Sequence, residues 1–326
     1  MGAEGADVLV AMIKVYRFDP EDGRGARYDE FEVDAAPGRT VLDLLHDIHY
    51  NEDPTLSFRR SCQSAICGSY AMNVNGRTGL TCSTQAKPLL DRDGYLVVEP
   101  MKNMPILKDL VVDMDGFWES VHDVDPFLQA GRKVPKGPYI VPKARMELLK
   151  IAQDCIMCGS CLSECTSREA NPDYLGPAAL AKAYRFVADE RDEARHGRLM
   201  VYSEANGIWD CDTCLYCNEV CPIHVKPMDA IMRMREMSIE AGIQSQGSKH
   251  AIAFYDTILK SGKLNEFATA NKSLGLKGMV AQSGVATKII LHWKTPEIRK
   301  KPIEGVKDVT KLANLIERKK RRGTRR

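Results

Sequence analysis

The first hundred residues alternate between apolar and polar positions. The segment VLVAMIKVYRF has the two-residue period of a half-buried strand, and a second such segment follows at hairpin distance. Thr40 can cap a helix in TVLDLLHDIHY, whose Leu42, Leu45 and Ile48 fall on one face. The order of strands, helix, loop and further strands indicates a small β-grasp domain over residues 8–105. The predicted strands cover residues 8–18, 27–33, 70–74 and 95–98.

Beyond residue 105 the apolar period becomes helical. Apolar residues recur every three to four positions in ILKDLVVDMDGFWESV, ARMELLKIAQDC, AALAKAYRFVADERDEA and MDAIMRMREMSIEA, with no strand-like alternation. We therefore expect an all-α domain over residues 106–240. The segment HAIAFYDTILKSGKLNEFATA predicts two short helices in a helical extension over residues 241–326. The expected fold class is α+β, with the β-grasp domain first and the helical domain second.

Composition and charge place the chain among ordinary globular proteins. Of its 326 residues, 44% are hydrophobic and 28% charged. The chain has no apolar run of about 18 residues and no signal-like start, so we expect a cytoplasmic protein. The net charge is +2, yet residues 299–326 hold twelve Lys or Arg against three Asp or Glu. Such a block suits nucleic acid, an anionic membrane or an acidic partner, but a solvated tail is the simpler interpretation.

Eleven cysteines form three groups, and none lies outside them. A disulfide framework is typical of small secreted chains and does not fit here. The second and third groups both read C-x2-C-x2-C-x3-C, the ligand run of bacterial ferredoxins, about fifty residues apart. Zinc is the alternative, because CxxC pairs also build zinc sites. The repeated run favours two [4Fe–4S] clusters. The two later groups are Cys155, Cys158, Cys161 and Cys165, then Cys211, Cys214, Cys217 and Cys221.

The first group has a different spacing, in FRRSCQSAICGSYAMNVNGRTGLTC. Plant-type [2Fe–2S] sites read C-x4-C-x2-C with a distant fourth cysteine. Cys62 and Cys67 fit the first spacing, and Cys82 serves as the distant ligand. The third position falls on Tyr70, so the fourth donor is open. Phenolate from Tyr70 is one candidate, and oxygen from Ser69, Ser64 or water is the other.

The chain resembles the iron–sulfur subunits of succinate dehydrogenase and fumarate reductase. The stretches FRRSCQSAICGSYAMNVNG, CIMCGSCLSEC, NPDYLGPAALAKAYRFVADERD and CDTCLYCNEVCP carry the resemblance over roughly residues 8–240. It implies one [2Fe–2S] and two [4Fe–4S] clusters. It also implies that the fourth cysteine of each run crosses to the other set. The implied ligands are Cys155, Cys158, Cys161 and Cys221 for the middle cluster, and Cys165, Cys211 and Cys217 for the distal one.

Departures from the usual family pattern indicate an atypical, type E-like branch. Most relatives have an aliphatic residue at Cys214 and a [3Fe–4S] cluster; here a fourth thiolate completes a [4Fe–4S] cluster. Their quinone-site Trp and His correspond to Ala170 and Asp212, which offer neither an indole donor nor an imidazole. The third departure is Tyr70. The resemblance therefore implies a cysteine-rich partner subunit in place of the usual haem-bearing anchors.

The expected function is electron transfer without a substrate site of its own. No GxGxxG fingerprint occurs, so the flavin and the chemistry at succinate or fumarate belong to an FAD-bearing partner. Electrons would pass to a cysteine-rich or membrane-associated partner linked to quinone or thiol, on the cytoplasmic face of the membrane. No nucleic-acid partner is expected. The alternative is the electron-transfer subunit of another flavoenzyme, resembling glycolate oxidase or a heterodisulfide- or thiol-dependent fumarate reductase.

Overall fold

A computed structural model gives the fold of residues 10–131, 137–281, 284, 287–288 and 303–323. The chain divides into two compact units, Met1–Glu236 and Met237–Arg326. The first unit opens with a five-stranded sheet in the order β2-β1-β5-β3-β4, in which β1 and β5 are parallel and the other pairs antiparallel. Its strands are β1 (Val10–Arg17), β2 (Arg27–Asp34), β3 (Ala71–Val74), β4 (Arg77–Leu80) and β5 (Leu96–Glu99).

Alternation along β1 puts Ile13 and Val15 into the core of this sheet, where both are fully buried. Helix α1 (Val41–Asp47) packs its apolar face into the same core, and helix α2 (Ala86–Asp93) precedes β5. Thr40 caps α1 in a capping box with Asp43, because each side chain bonds the other residue's backbone N–H. The predicted sheet, with a helix across it, is confirmed.

The segment after residue 105 begins with strands, so the helix predicted from residue 106 is wrong over its first half. Strands β6 (Ile106–Lys108) and β7 (Val111–Val112) form a hairpin, and α3 (Asp115–His122) starts only after it. Asp109, at φ +47°, makes the turn. Its carboxylate accepts from Arg17 Nε (3.1 Å) and from the backbone N–H of Ser57 (2.8 Å). These long-range bonds fix a turn that the local apolar period does not indicate.

The rest of the first unit is helical around the later cysteines. Cys161 and Cys217 lie inside short helices, and the neighbouring cysteines lie in the loops beside them. The expected boundary at residue 105 stays a prediction. The helices are α4 (Lys143–Gln153), α5 (Ser160–Ser163), α6 (Thr166–Ala170), α7 (Gly176–Val187), α8 (Arg195–Tyr202), α9 (Tyr216–Glu219) and α10 (Pro227–Glu240).

Glu164 ties the first cysteine run to the sheet. Its Oε1 accepts from the backbone N–H (2.9 Å) and hydroxyl (2.6 Å) of Thr78 on β4. The Ser163 hydroxyl lies 2.8 Å from the same Thr78 hydroxyl, and Asn103 Nδ2 donates to the carbonyl of Cys165 at 3.1 Å. Because these groups are largely buried, the bonds hold α5 at a fixed place on the sheet.

The second unit contains α11 (Gln246–Ser261), α12 (Glu266–Ala281) and α13 (Val306–Gly323). Ser245 caps α11 through a capping box with Ser248, and α12 breaks at Gly275, whose φ is +64°. Helices α12 and α13 both pack against α11. Among the helices within the described ranges, none is long and apolar enough to cross a bilayer. The expected boundary at residue 240 stays a prediction.

Candidate metal centres

Four thiols from two distant stretches meet between α4, α5 and the loop after α9. Cys155, Cys158, Cys161 and Cys221 line one small cavity with apolar neighbours. Desolvation raises the pKa of the Cys221 thiol, and the thiols of Cys158 and Cys155 raise it further. The same causes raise the pKa of Cys161 well above its ordinary value. Because their pKa values are raised, these thiols ionise only when a bound metal centre supplies positive charge.

The other four cysteines form a second set. Desolvation raises the pKa of Cys217 to about 12, with further contributions from the thiols of Cys211, Cys165 and Cys214. The pKa of Cys165 rises to about 11 for the same reasons. Each run thus gives three thiols to one set and its fourth to the other. This grouping agrees with the one that the resemblance implies, and the ligand assignment itself stays a prediction.

Matching residues of the two runs have the same unusual backbone conformation. Met157 and Thr213, which precede the second cysteine of each run, have φ of +56° and +61°. Gly159 and Leu215, which follow that cysteine, have φ of +82° and +74°. A left-handed conformation costs a residue with a side chain about 1–2 kcal/mol. Met157, Thr213 and Leu215 nevertheless adopt it. The same backbone curve in both runs turns successive thiols and amides towards one point.

Backbone amides point at the sulfurs in all three groups. The N–H two residues after the cysteine donates to its sulfur in the first group, from Ser64 to Cys62 and from Ser69 to Cys67, both at 3.4 Å. An amide donor stabilises thiolate over thiol, and it equally stabilises a cluster-bound sulfur. In the two later groups the backbone N–H at the same position acts to lower the pKa of the cysteine: Met157 for Cys155, Ser167 for Cys165, Thr213 for Cys211 and Ile223 for Cys221.

The thiol sets do not form a site for a single ion. Over the described ranges, no three Cys, His, Asp or Glu side chains are placed to hold one metal ion. Zinc draws its four ligands to about 2.3 Å from one point. An iron–sulfur cluster takes each thiolate at a different iron, so its thiolates need not converge on one point. The curled loops, the amide donors and the lack of a single-ion arrangement among the described residues fit clusters better than zinc.

The first group forms a loop at the edge of the sheet. The backbone N–H of Cys67 donates to Cys62 Sγ at 3.3 Å, and desolvation with the two neighbouring thiols raises the pKa of Cys82. Desolvation also acts to raise the pKa of Cys67, but hydrogen bonds from the Ser69 hydroxyl and backbone N–H groups hold it at about 6. Three of the predicted ligands therefore lie together.

Tyr70 is part of the sheet core. Its side chain is fully buried, and its hydroxyl accepts a hydrogen bond from the backbone N–H of Ser61. Its carbonyl accepts from the backbone N–H of Thr81 at 3.0 Å. These bonds give Tyr70 a packing role beneath the cysteine loop. Ser69, whose hydroxyl bonds Cys67, is an oxygen donor nearer to the thiols. The identity of the fourth ligand of the [2Fe–2S] cluster stays a prediction.

The two cysteine loops touch at Gly68. This glycine has φ of +76°, and a Cβ built on it would lie 2.9 Å from Cys158 Cβ, 3.0 Å from Cys158 Cα and 3.0 Å from the Ile156 carbonyl oxygen. Only a residue without a side chain allows this approach. The [2Fe–2S] loop therefore lies directly against the loop of the middle set.

Three residues near the distal set were not identified from the sequence. The Tyr174 hydroxyl is buried without a hydrogen bond of ordinary geometry among the described residues, and it faces the Cys211 thiol. The indole N–H of Trp209 is likewise buried and unpartnered within that part of the chain. Arg235 stacks on Trp209, 5.4 Å from the ring centroid, and donates to the carbonyl of Cys211. The sequence offered two signals for these residues: Trp209 lies two residues before Cys211, and Tyr174 lies in one of the stretches that carry the resemblance.

Ala170 and Asp212, the positions that the resemblance matches to a quinone-site Trp and His, lie at the exposed side of the distal set. Ala170 ends α6 at the surface. Asp212 accepts from the Thr166 hydroxyl at 2.6 Å and from the backbone N–H of Cys214 at 3.4 Å. Cys214 itself is exposed, as is the neighbouring Leu215. The distal set is therefore open to a partner on this side.

Comparison with known proteins covers both halves of the cysteine-bearing region. The family of the 2Fe-2S iron-sulfur cluster binding domain matches residues 12–119, and that of the 4Fe-4S dicluster domain matches residues 151–225. The succinate dehydrogenase iron-sulfur subunit of Coxiella burnetii is 36% identical over 224 residues, covering 68% of this chain and 94% of its own. The fumarate reductase iron-sulfur subunit of Haemophilus influenzae is 36% identical over 238 residues, covering 69% of this chain and 92% of its own. The chain belongs to the family of succinate dehydrogenase and fumarate reductase iron–sulfur subunits.

A solved structure supports the fold of this iron–sulfur subunit. A chain of the Mycobacterium smegmatis Sdh1 complex in the apo form matches with a TM-score of 0.65 and 24% identity, covering 73% of this chain and 98% of its own. As a member of its family, the chain is the electron-transfer subunit of an oxidoreductase. Its cofactors are one [2Fe–2S] and two [4Fe–4S] clusters, which the three cysteine groups fit.

Proposed function

We propose that the chain passes single electrons from the [2Fe–2S] cluster to the middle [4Fe–4S] cluster and then to the distal one. The contact at Gly68 supports the first step, because it places the two loops against each other. The exchanged cysteines support the second step, because Cys221 joins the thiols of the first run and Cys165 joins those of the second. The observation that carries the proposal is the close backbone approach at Gly68 between the [2Fe–2S] loop and the loop of the middle set.

The proposed ligands follow the spatial sets. Cys214 completes the distal set, so that cluster is of the [4Fe–4S] type. For the [2Fe–2S] cluster we propose an oxygen as fourth donor, with Ser69 ahead of Tyr70, because the Tyr70 hydroxyl is bonded to Ser61. The proposed thiolates are Cys62, Cys67 and Cys82 for [2Fe–2S]; Cys155, Cys158, Cys161 and Cys221 for the middle cluster; and Cys165, Cys211, Cys214 and Cys217 for the distal cluster.

The protein's part in the relay is to hold and tune these groups. The clusters supply one-electron redox chemistry when bound. The amide donors two residues after six of the cysteines favour the more negative, reduced state of a cluster, and burial opposes it. Lys182, which acts electrostatically on Cys155, adds positive charge beside the middle set. The cavity that holds the middle set is lined by Ala178, Ala181 and Val225, which give it apolar walls.

The two ends of the relay are proposed to meet different partners. At the [2Fe–2S] end, Cys62 is exposed and Ile66 is 70% exposed, which suits contact with an FAD-bearing flavoprotein. At the distal end, Cys214 and Leu215 are exposed, which suits a cysteine-rich or membrane-associated subunit linked to quinone or thiol. Substrate oxidation or reduction would take place on the flavoprotein, at the cytoplasmic face of the membrane.

Metal analysis with stepwise reduction tests this proposal. Anaerobically purified chain should contain about ten iron atoms and as many sulfides as the three clusters require, and little zinc. In the complex with its flavoprotein, succinate should reduce the clusters, whereas glycolate or a dithiol should not. Reduction by glycolate or a dithiol in place of succinate would assign the subunit to another flavoenzyme. About two iron atoms with stoichiometric zinc would refute the assignment of all three centres.

A further inference from the structure

Within the described residues, helix α13 packs on α11 along one face. Val306 is buried, and the Thr310 hydroxyl donates to the carbonyl of Leu259 on α11 at 2.7 Å. Just before α13, the backbone N–H of Ile303 donates to the carbonyl of Ser261 at 3.0 Å. Positions 306 and 310 lie one turn apart, so they define the side of α13 that α11 covers.

The outward side of α13 carries an apolar stripe. Val309, Leu312 and Leu315 follow at spacings of three and are 58%, 59% and 54% exposed. At about 100° per residue, Leu312 and Leu315 lie about 120° and 180° around the helix from Val306, whereas Val309 lies about 60° from it, at the margin of the covered side. The apolar and charged residues are strongly segregated around this helix, although its mean hydropathy is low. Among the described residues, none buries these three aliphatic side chains, and such a stripe calls for an occupant.

Basic residues flank the stripe and follow it. Lys307 and Lys311 line a groove between α11 and α13 together with Lys260 of α11. Asp308 is the acidic residue of the first turn. Its Oδ1 lies 3.5 Å from Lys311 Nζ, so its negative charge offsets one of the positive charges. Five consecutive basic residues, at positions 318–322, occupy the last turns of the same helix.

We propose that α13 is a membrane-surface helix that binds anionic lipid directly. Its apolar stripe would enter the boundary between headgroups and acyl chains, while the lysine flank and the basic end would contact lipid phosphates. Nucleic acid would match the charge but leave the stripe in water. An acidic protein groove is the competing occupant, but the excess of Lys and Arg along the whole helix fits an extended anionic surface. This binding is independent of the electron relay.

Vesicle flotation of the full-length, cluster-loaded chain tests the proposal. The chain should float with phosphatidylcholine vesicles that contain about 30% phosphatidylglycerol, bind pure phosphatidylcholine far more weakly, and dissociate as salt is raised to about 0.5 M. Leu312→Gln should weaken binding about tenfold, since it removes one half-exposed aliphatic side chain from the lipid contact. Each of Lys307→Gln and Lys311→Gln should cost about fivefold.

Asn314→Gln provides the matched control, because it changes an exposed polar residue of the same helix and leaves the stripe intact. It should bind like the unmodified chain. Helicity by circular dichroism and iron content should be the same in all variants. Equal binding by Leu312→Gln and the unmodified chain overturns the proposal, as does equal binding to both kinds of vesicle. A chain that ignores vesicles but buries α13 against a partner subunit in the complex also overturns it in favour of a protein occupant.

Discussion

Gly68→Ala tests whether the two cysteine loops must touch. The substitution places one methyl group where the [2Fe–2S] loop meets the loop of the middle set. The neighbours that it would meet are the Cys158 Cα and the Ile156 carbonyl, each at 3.0 Å. Both are backbone atoms, so relief requires a shift of one loop against the other. We therefore expect the change to act on both clusters.

The size of the effect follows from two separable costs. A side chain at φ +76° costs about 1–2 kcal/mol in backbone strain. Overpacking by one methyl group against a rigid neighbour costs about 1–3 kcal/mol more. Gly76→Ala has the strain without the collision, because Gly76 has φ +80° and no atom within 4 Å of its built Cβ. The difference between the two variants therefore isolates the contact with Cys158.

An anaerobic thermal melt followed by visible absorbance and circular dichroism measures the difference. For a unit of this size about 1 kcal/mol corresponds to about 2–4 °C. Gly68→Ala should melt several degrees below Gly76→Ala, and electron paramagnetic resonance should show weaker magnetic coupling between the [2Fe–2S] and middle clusters. Equal midpoints and equal coupling in the two variants would refute the contact and the first step of the proposed relay.

Three further predictions concern single side chains. Cys214→Ile should turn the distal centre into a [3Fe–4S] cluster, visible as a paramagnetic signal in the oxidised protein and as a loss of about one iron per chain; unchanged spectra would show that Cys214 is not a ligand. Tyr70→Phe should keep the [2Fe–2S] signal and lower stability by about 1–3 kcal/mol, because the N–H of Ser61 loses its acceptor; loss of the cluster would instead indicate ligation by Tyr70. Tyr174→Phe should lower the distal reduction potential by about 40 mV, the one-electron equivalent of about 1 kcal/mol, because the reduced cluster loses the hydroxyl that faces Cys211; an unchanged redox titration would contradict it.

The parts of the fold with strong local signals were predictable. The alternation in β1, the cap at Thr40 and the two cysteine runs each depend on nearby residues, and the structure has them where expected. The hairpin of β6 and β7 was missed, because Asp109 is fixed by Arg17 and Ser57, far away in the sequence. A helical period in ILKDLVVD could not reveal those bonds.

The candidate site shows the same division between local and long-range information. Spacing identifies the cysteines but does not show which of them meet in space. It also places Tyr70 at a ligand position, whereas the structure turns the hydroxyl towards Ser61 and buries the ring. Tyr174 lies in a stretch that carries the resemblance and Trp209 lies two residues before Cys211, but their roles are marked by polar atoms that are buried and unpartnered among the described residues.

The exchange of Cys165 and Cys221 between the two sets bears on how the protein is made. A nascent chain that has emerged only past the first run holds three thiolates of the middle set, and the fourth is still to be synthesised. The distal set waits for the second run in the same way. Under the proposed assignment, neither cubane can be closed on the ribosome before the second run is translated: the distal set is complete at Cys217 and the middle set at Cys221. Delivery of both [4Fe–4S] centres must then follow translation of this region.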